Sequence, residues 1–278
     1  MKKVGMVCCS NGERQENAVL HHRLVELLAD RGTETIFSPY IYCKHRDASG
    51  TGAQRGEAVN IMFRDPQVEA IFDLSGGDLA NEILEYLDYP SIADSHKQLW
   101  GYSDLTTILN AIYTKTGSTG VLYQIKNLVG PYGEDQQARF FSENHKALFE
   151  LPVQFLRGEQ MEGTLVGGNI RCLLKLAGTE YFPDLTGKLL LLEANSGRVP
   201  QMTAYLSQLR QMGAFHQIKG IVLGTFTQME RENCQPTMEE LVLERVDGDI
   251  PVVKTDKVGH GPDARAVTIG GTYVFKKE

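Results

Sequence analysis

Three residues have the types and settings that acyl-transfer chemistry needs. A serine hydroxyl is a weak nucleophile until a base takes its proton, and the usual base is a histidine oriented by a carboxylate. Ser103 lies in Gly101-Tyr102-Ser103-Asp104, between an apolar run ending at Gly101 and a helix-like stretch from Leu105 to Tyr113. A strand that turns abruptly into a helix puts the corner residue at the strand's carboxyl end, where open α/β sheets bind ligands. The free N–H groups of the helix start favour negative charge there. On the motif alone a helix N-cap is the commoner role for such a serine, because the second glycine of G-x-S-x-G is missing.

Glu193 is the second residue. Four leucines, Leu189 to Leu192, lead directly into its carboxylate, and a charge at the end of so apolar a strand is costly unless paired. It can orient a histidine; equally, it can mark where the chain reaches solvent or caps a helix before Asn195-Ser196-Gly197. His260 is the third, between glycines in Lys257-Val258-Gly259-His260-Gly261-Pro262 and outside any periodic apolar face. Glycines let a side chain and a substrate approach closely. The other histidines are blander: His21 and His22 lie on a helical stretch, His45, His96 and His145 in polar surroundings, and His216 in a connection.

Two glycine pairs add candidate backbone donors. Gly76-Gly77 follows an apolar strand and can present N–H groups to an oxyanion or a phosphate, or be a plain tight turn. Gly167-Gly168-Asn169 is similar, with Asn169 able to cap the helix after it. No P-loop or G-x-G-x-x-G pattern occurs, and no His, Cys or carboxylate cluster has metal spacing. No cofactor and no metal are expected.

These residues must be positioned by their elements. Lys3–Cys9, Thr33–Phe37, Val68–Leu74 and Leu99–Tyr102 read as strands, alternating with helices at Glu16–Asp30, Arg55–Phe63, Leu79–Leu87 and Leu105–Tyr113. Alternation of this kind predicts a parallel sheet with helices on both faces. His45 to Gln54 reads as an exposed loop, Gln137 to Phe149 as a helix, and Trp100 as a core anchor. A boundary falls near 150–162. Residues 1–150 are expected to form the N-terminal domain, 151–162 a linker, and 163–278 a smaller C-terminal α/β domain, with the active site in the cleft between them. In the second domain, strands are expected at Gly163–Val166, Lys188–Leu192, Gly220–Leu223 and Pro251–Val253. Helices are expected at Ile170–Leu176, Pro200–Met212 and Thr237–Glu244, and a terminal hairpin at Ala266–Phe275 turning at Gly270-Gly271.

Composition narrows the class. The chain has 278 residues, 42% of them hydrophobic and 23% charged, which is a globular composition. A net charge of −7 argues against a sequence-independent grip on nucleic acid. The five cysteines fit neither a disulfide framework nor a zinc site and read as reduced thiols. The apolar run after Met1 stops at Asn11-Gly12, too short for a signal peptide, and no stretch approaches the ~20 apolar residues of a membrane span. A cytoplasmic enzyme without membrane or nucleic-acid partners is expected.

Together, Ser75-Gly76-Gly77-Asp78, Asn81-Glu82, Gly101-Tyr102-Ser103-Asp104, Gly167-Gly168-Asn169, Leu192-Glu193, Gly220-Ile221-Val222-Leu223-Gly224 and Gly259-His260-Gly261 resemble, in order and spacing, the serine-dependent LD-carboxypeptidase family. That family also includes the microcin C self-immunity peptidases. The resemblance implies a triad of Ser103 as nucleophile, His260 as base and then acid, and Glu193 as the orienting group. It further implies an oxyanion site made of the Gly77 and Asp104 backbone N–H groups, and a homodimer. The implied substrate is a murein tetrapeptide, cut through an acyl-enzyme at the bond between the L-centre of a diamino acid and the terminal D-Ala. Gly76, Asn169, Arg171 and Arg265 are expected at the substrate. A terminal carboxylate calls for a cation, for which Arg171, Arg198 and Arg265 are the candidates.

The chain departs from the family pattern in three places. Where the family often has His-Gly-Pro it reads Tyr123-Gln124-Ile125-Lys126-Asn127, a segment expected to line the cleft. The tail after His260 reads Asp263-Ala264-Arg265-Ala266-Val267. Ala177 stands where immunity peptidases carry a base-stacking aromatic, which counts against the alternative substrate, a peptide- or aminoacyl-nucleotide toxin. Two other readings compete: a non-catalytic anion-binding protein, which the joint presence of Ser, Glu and His opposes, and an α/β-hydrolase, opposed by the missing glycine and the late Gly-His-Gly.

Overall fold

The computed structural model describes residues 1–44, 47–246, 248 and 250–277, so His45 lies outside the described residues. Among the described residues twelve strands form two sheets. The first contains β1 (Lys3–Val7), β2 (Glu34–Phe37), β3 (Ala70–Asp73), β4 (Gln98–Gly101), β5 (Gly120–Leu122) and β11 (Val267–Ile269), in the order β11-β5-β4-β3-β1-β2. The second contains β6 (Gln154–Arg157), β7 (Gln160–Asn169), β8 (Leu189–Ala194), β9 (Gly220–Phe226), β10 (Val252–Lys254) and β12 (Thr272–Lys276), in the order β12-β7-β8-β9-β10-β6. Each sheet has a parallel centre, and the antiparallel strands lie at edges: β11 in the first, β12 and β6 in the second. Buried runs such as Leu189–Leu192 are what parallel strands covered on both faces require. This is the α/β architecture expected.

The helix Thr106–Thr116 joins the two halves. It follows β4 after the short turn Ser103–Leu105, and every residue from Thr106 to Ile112 is buried. Its Asn110 side chain makes a two-way bond with the backbone of β7: Nδ2 donates to the Gly167 carbonyl at 2.9 Å and Oδ1 accepts from the Gly167 N–H at 2.8 Å. One turn earlier, Thr106 Oγ1 accepts from the Asn169 N–H at 3.0 Å. Around these polar contacts a single apolar cluster runs from Leu105, Ile108 and Ile112 to Leu165, Leu189 and Val258. Docking of the halves therefore buries a shared core rather than a wet seam, and fixes their angle.

Several elements differ from expectation. The stretch 151–162 holds β6 and the start of β7, both in the second sheet. The alternating tail does not form a hairpin. β11 pairs with β5 of the first sheet and β12 with β7 of the second, the chain turning between them at Gly270 with φ +83°. Burial of Val267 and Ile269 in the shared core outweighs local pairing. Gly167-Gly168-Asn169 continues β7 instead of turning. The helix expected over Gln137–Phe149 stops at Phe140 and resumes only over Lys146–Phe149, with Asn144 and His145 between them at positive φ, and Leu79–Leu87 winds as a tight 3₁₀ helix over Ala80–Tyr86. Trp100 is a core anchor, packed on Phe72, Phe140 and Phe149. Among the described residues, no helix is long and apolar enough to cross a membrane.

Candidate active site

Ser103 stands at the corner expected of it. β4 ends at Gly101, Ser103 opens a short 3₁₀ turn at φ +57°, and the long helix follows. A non-glycine residue in the left-handed region costs about 1–2 kcal/mol, a strain that the flanking core sustains and that presents the hydroxyl outward. Asp104 points the other way. Its carboxylate is fully buried and accepts from Ser10 Oγ at 2.7 Å, from the Ala80 N–H at 2.9 Å and from Lys175 Nζ.

Beside this corner the loop after β3 is held by Asp73. Its carboxylate accepts from the Cys9 N–H at 2.6 Å and from both the N–H and the hydroxyl of Ser75 at 2.7 Å. Burial pushes the Asp73 carboxyl up, and these bonds only partly offset it. The loop then passes through Gly77 at φ +121°, where a Cβ would come within 2.3 Å of the Asn11 side chain. Only glycine fits. Its N–H donates to no other group among the described residues. The Asp104 N–H lies in the first turn of its helix, where amides have no intrahelical acceptor.

Glu193 and His260 come from the second half. β8 carries Glu193, wholly buried, to the carboxyl end of the second sheet, and Oε2 lies 2.9 Å from His260 Nδ1. That contact turns Nε2 away from the carboxylate, and among the described residues Nε2 has no hydrogen-bond partner. The loop carrying His260 lies tight on β9, since a Cβ on Gly259 would meet Thr225 Oγ1 at 1.7 Å. The Tyr102 ring packs edge-on against the imidazole, with centroids 5.0 Å apart and planes at 72°. Burial, and then the Glu193 charge, push the Tyr102 phenol far above its usual range.

Ser103 and His260 thus face one pocket of about 340 Å³, which Gly76, Gly77, Lys126 and Arg265 also line. The other expected residues divide. Gly76 faces open space. Asn169 and Arg171, expected at the substrate, do not line the pocket. Asn169 caps the helix Ile170–Leu174 through the Cys172 N–H, and Arg171 is held by the Asp78 carboxylate and the Gly77 carbonyl. Arg198 is exposed and paired with Glu232. Of the three candidate arginines only Arg265 reaches the pocket. Its one side-chain hydrogen bond among the described residues goes to the Ala147 carbonyl, and Nε has no partner.

Sequence reasoning passed over Tyr102, although it adjoins Ser103, and Asn195, two residues beyond Glu193; both line the pocket. The segment that departs from the family pattern does line the pocket, through Tyr123, Gln124, Lys126 and Asn127. Behind it Lys126 pairs with Glu13 at 2.6 Å. Burial works against ionisation of Glu13, but the nearby His21 imidazole at 3.4 Å, the Lys126 charge and hydrogen bonds from Lys126 and Asn17 outweigh it, lowering the carboxyl to about 2. Among the described residues no cluster of His, Cys, Asp and Glu could hold a metal ion.

Two docked α/β halves, one carrying Ser103 on a strained corner and the other carrying His260 held by Glu193, place a candidate hydrolase site between them. The chain belongs to the LD-carboxypeptidase family: residues 4–124 match the family's N-terminal domain and residues 162–274 its C-terminal domain. It is 30% identical to the probable murein peptide carboxypeptidase of Bacillus subtilis (strain 168), over 87% of this chain and 80% of that protein. It is 27% identical to the murein tetrapeptide carboxypeptidase of Pseudomonas aeruginosa, over 88% of this chain and 84% of that one. The fold matches the microcin C7 self-immunity protein MccF, solved with aspartyl sulfamoyl adenosine, with a TM-score of 0.87 at 21% identity, covering 99% of this chain and 93% of that one.

Proposed function

We propose that this chain removes the terminal D-Ala of murein tetrapeptides by acyl transfer to Ser103. The observation that carries the reading is the pairing of buried Glu193 with His260, which shares a pocket with Ser103 and whose Nε2 has no partner among the described residues. In the first step His260 Nε2 takes the Ser103 proton as Oγ bonds to the scissile carbonyl carbon. Glu193 holds the proton on Nδ1 and stabilises the imidazolium. The oxyanion is met by the Gly77 and Asp104 N–H groups. His260 then gives its proton to the departing D-Ala nitrogen, the C–N bond breaks, and an ester to Ser103 remains. Water, deprotonated by His260, cleaves that ester and restores the serine. No hydrogen bond joins Ser103 and His260 before substrate arrives, as is common in free enzymes.

Substrate polarity follows from Arg265, the arginine that reaches the pocket with an unpartnered Nε. A carboxypeptidase needs such a cation for the terminal carboxylate. The relatives named for murein peptides support this substrate class. The proposal includes a cytoplasmic setting, in keeping with five free cysteines, and a homodimer.

The test is mass spectrometry of a covalent adduct on Ser103 that disappears in His260→Ala, together with turnover of a murein tetrapeptide and of an aminoacyl-nucleotide. Adduct and tetrapeptide turnover are expected. Turnover of the nucleotide alone would move the assignment to the immunity-type activity, and undiminished turnover by Ser103→Ala would remove the nucleophile.

A further inference from the structure

The residue after the proposed nucleophile presents an electrostatic difficulty. Asp104 is to donate its N–H to an oxyanion, yet its own side chain is an acid buried one residue from Ser103. A lone buried carboxylate is strongly disfavoured and opposes negative charge developing nearby. Among the described residues of the N-terminal half it finds only neutral donors, Ser10 Oγ and the Ala80 N–H. The cation comes from the other half: Lys175, at the C-terminal end of the helix Ile170–Leu174, donates from Nζ to Asp104 Oδ1. The Lys175 side chain is itself only 18% exposed, so the pair is poorly screened. The neighbouring Cys172 thiol is pushed up by burial and then by the Asp104 charge, so that charge is felt across the interface.

The same helical turn reaches the second oxyanion donor. Lys175 Nζ also donates to the Asp78 carbonyl at 2.8 Å, and Arg171, four residues earlier on the same face, donates to the Gly77 carbonyl at 3.0 Å and to the Asp78 carboxylate. Two cations of the C-terminal half therefore grip both N-terminal segments that carry the proposed oxyanion donors.

We propose that Lys175 is a positioning residue of the reaction: it neutralises Asp104 and, with Arg171, completes the oxyanion site from the opposite domain. Oxyanion stabilisation then exists only in the docked molecule, so docking supplies more than the Glu193–His260 pair. This inference rests on the Ser103 reading given above.

The test compares Lys175→Met, Asp104→Asn and the double variant with wild type and Ser103→Ala. Readouts are kcat and KM on the tetrapeptide, affinity for a peptide boronic acid whose tetrahedral adduct occupies the oxyanion site, and thermal unfolding. Lys175→Met should lower kcat by about 10- to 100-fold, somewhat less than removal of a donor itself. KM should change less than about twofold, and boronate affinity should fall in parallel with kcat. In the Asp104→Asn background, removing Lys175 should cost less than about threefold, because the charge it offsets is gone. That comparison also carries the test if Lys175→Met does not fold. Wild-type kcat and boronate affinity in folded Lys175→Met would overturn the inference, as would a loss above about tenfold in the Asp104→Asn background. A purely structural lysine would lower the unfolding temperature without moving boronate affinity. If Ser103→Ala itself turns over substrate, the nucleophile reading fails instead.

Discussion

Replacing Glu193 by Gln should separate the chemistry of the site from its stability. The substitution keeps size and shape but removes the charge 2.9 Å from His260 Nδ1. Two consequences follow for the reaction. The amide can donate to Nδ1, which leaves the proton on Nε2 and turns the base into a poor acceptor for the serine proton. The imidazolium formed in the first step also loses its counter-charge. Opposite charges 2.9 Å apart attract by about 6 kcal/mol at an effective dielectric of about 20. Since about 1.4 kcal/mol is a factor of ten in rate, kcat should fall by about four orders of magnitude. Stability should respond differently. The carboxylate is fully buried and its Oε1 has no partner, so its desolvation offsets much of the pair's attraction, and unfolding free energy should change by less than about 1 kcal/mol. The assay is D-Ala release from a murein tetrapeptide at saturating substrate, which reads kcat, alongside urea unfolding of the same samples. Activity within about tenfold of wild type would refute the orienting role. Equal collapse of fold and activity would show that the carboxylate is structural.

Further expectations follow from particular contacts. Ser103→Gly should abolish turnover yet stabilise the fold by about 1 kcal/mol, because glycine relieves the left-handed backbone at φ +57°; a loss of stability in urea unfolding would contradict the strain. Arg265→Met should raise KM on the tetrapeptide about 10- to 100-fold, the worth of one charge-assisted hydrogen bond. It should leave a substrate with an amidated C-terminus unaffected, and an equal effect on both substrates would exclude a carboxylate anchor. Glu13 has a folded pKa lowered from 4.5 to about 2, so the unfolded chain binds the more protons between those values. Its contribution, about 3 kcal/mol, is full above the ordinary carboxylate range and lost as pH falls through it toward 2. Unfolding free energies of wild type and Glu13→Gln should converge over that window, and parallel curves would exclude the coupling.

The candidate site residues could be named before any coordinates. Ser103, Glu193 and His260 stand out locally as a strand-to-helix corner, a leucine run ending in an acid, and a histidine between glycines, but each also fits a plainer role, and only the order and spacing of the motifs together suggested a triad. Periodicity also predicted most strands and the parallel sheets, because a buried strand or an amphipathic helix writes its environment into neighbouring residues. What the sequence could not decide were relations between distant residues. Arg171, Arg198 and Arg265 are indistinguishable as arginines; only packing puts Arg265 at the pocket and ties the other two to Asp78 and Glu232. The tail has the pattern of a hairpin, yet burial in the shared core sends β11 to one sheet and β12 to the other. Asp104 reads as an acidic helix start, and nothing local reveals that Lys175 offsets its charge from the other half. Sequence by itself determined which groups are candidates for the chemistry. The tertiary structure decided that Ser103 and His260 line one pocket, because the helix Thr106–Thr116, buried between the halves and bonded through Asn110 to β7, fixes the half that carries the serine to the half that carries the histidine.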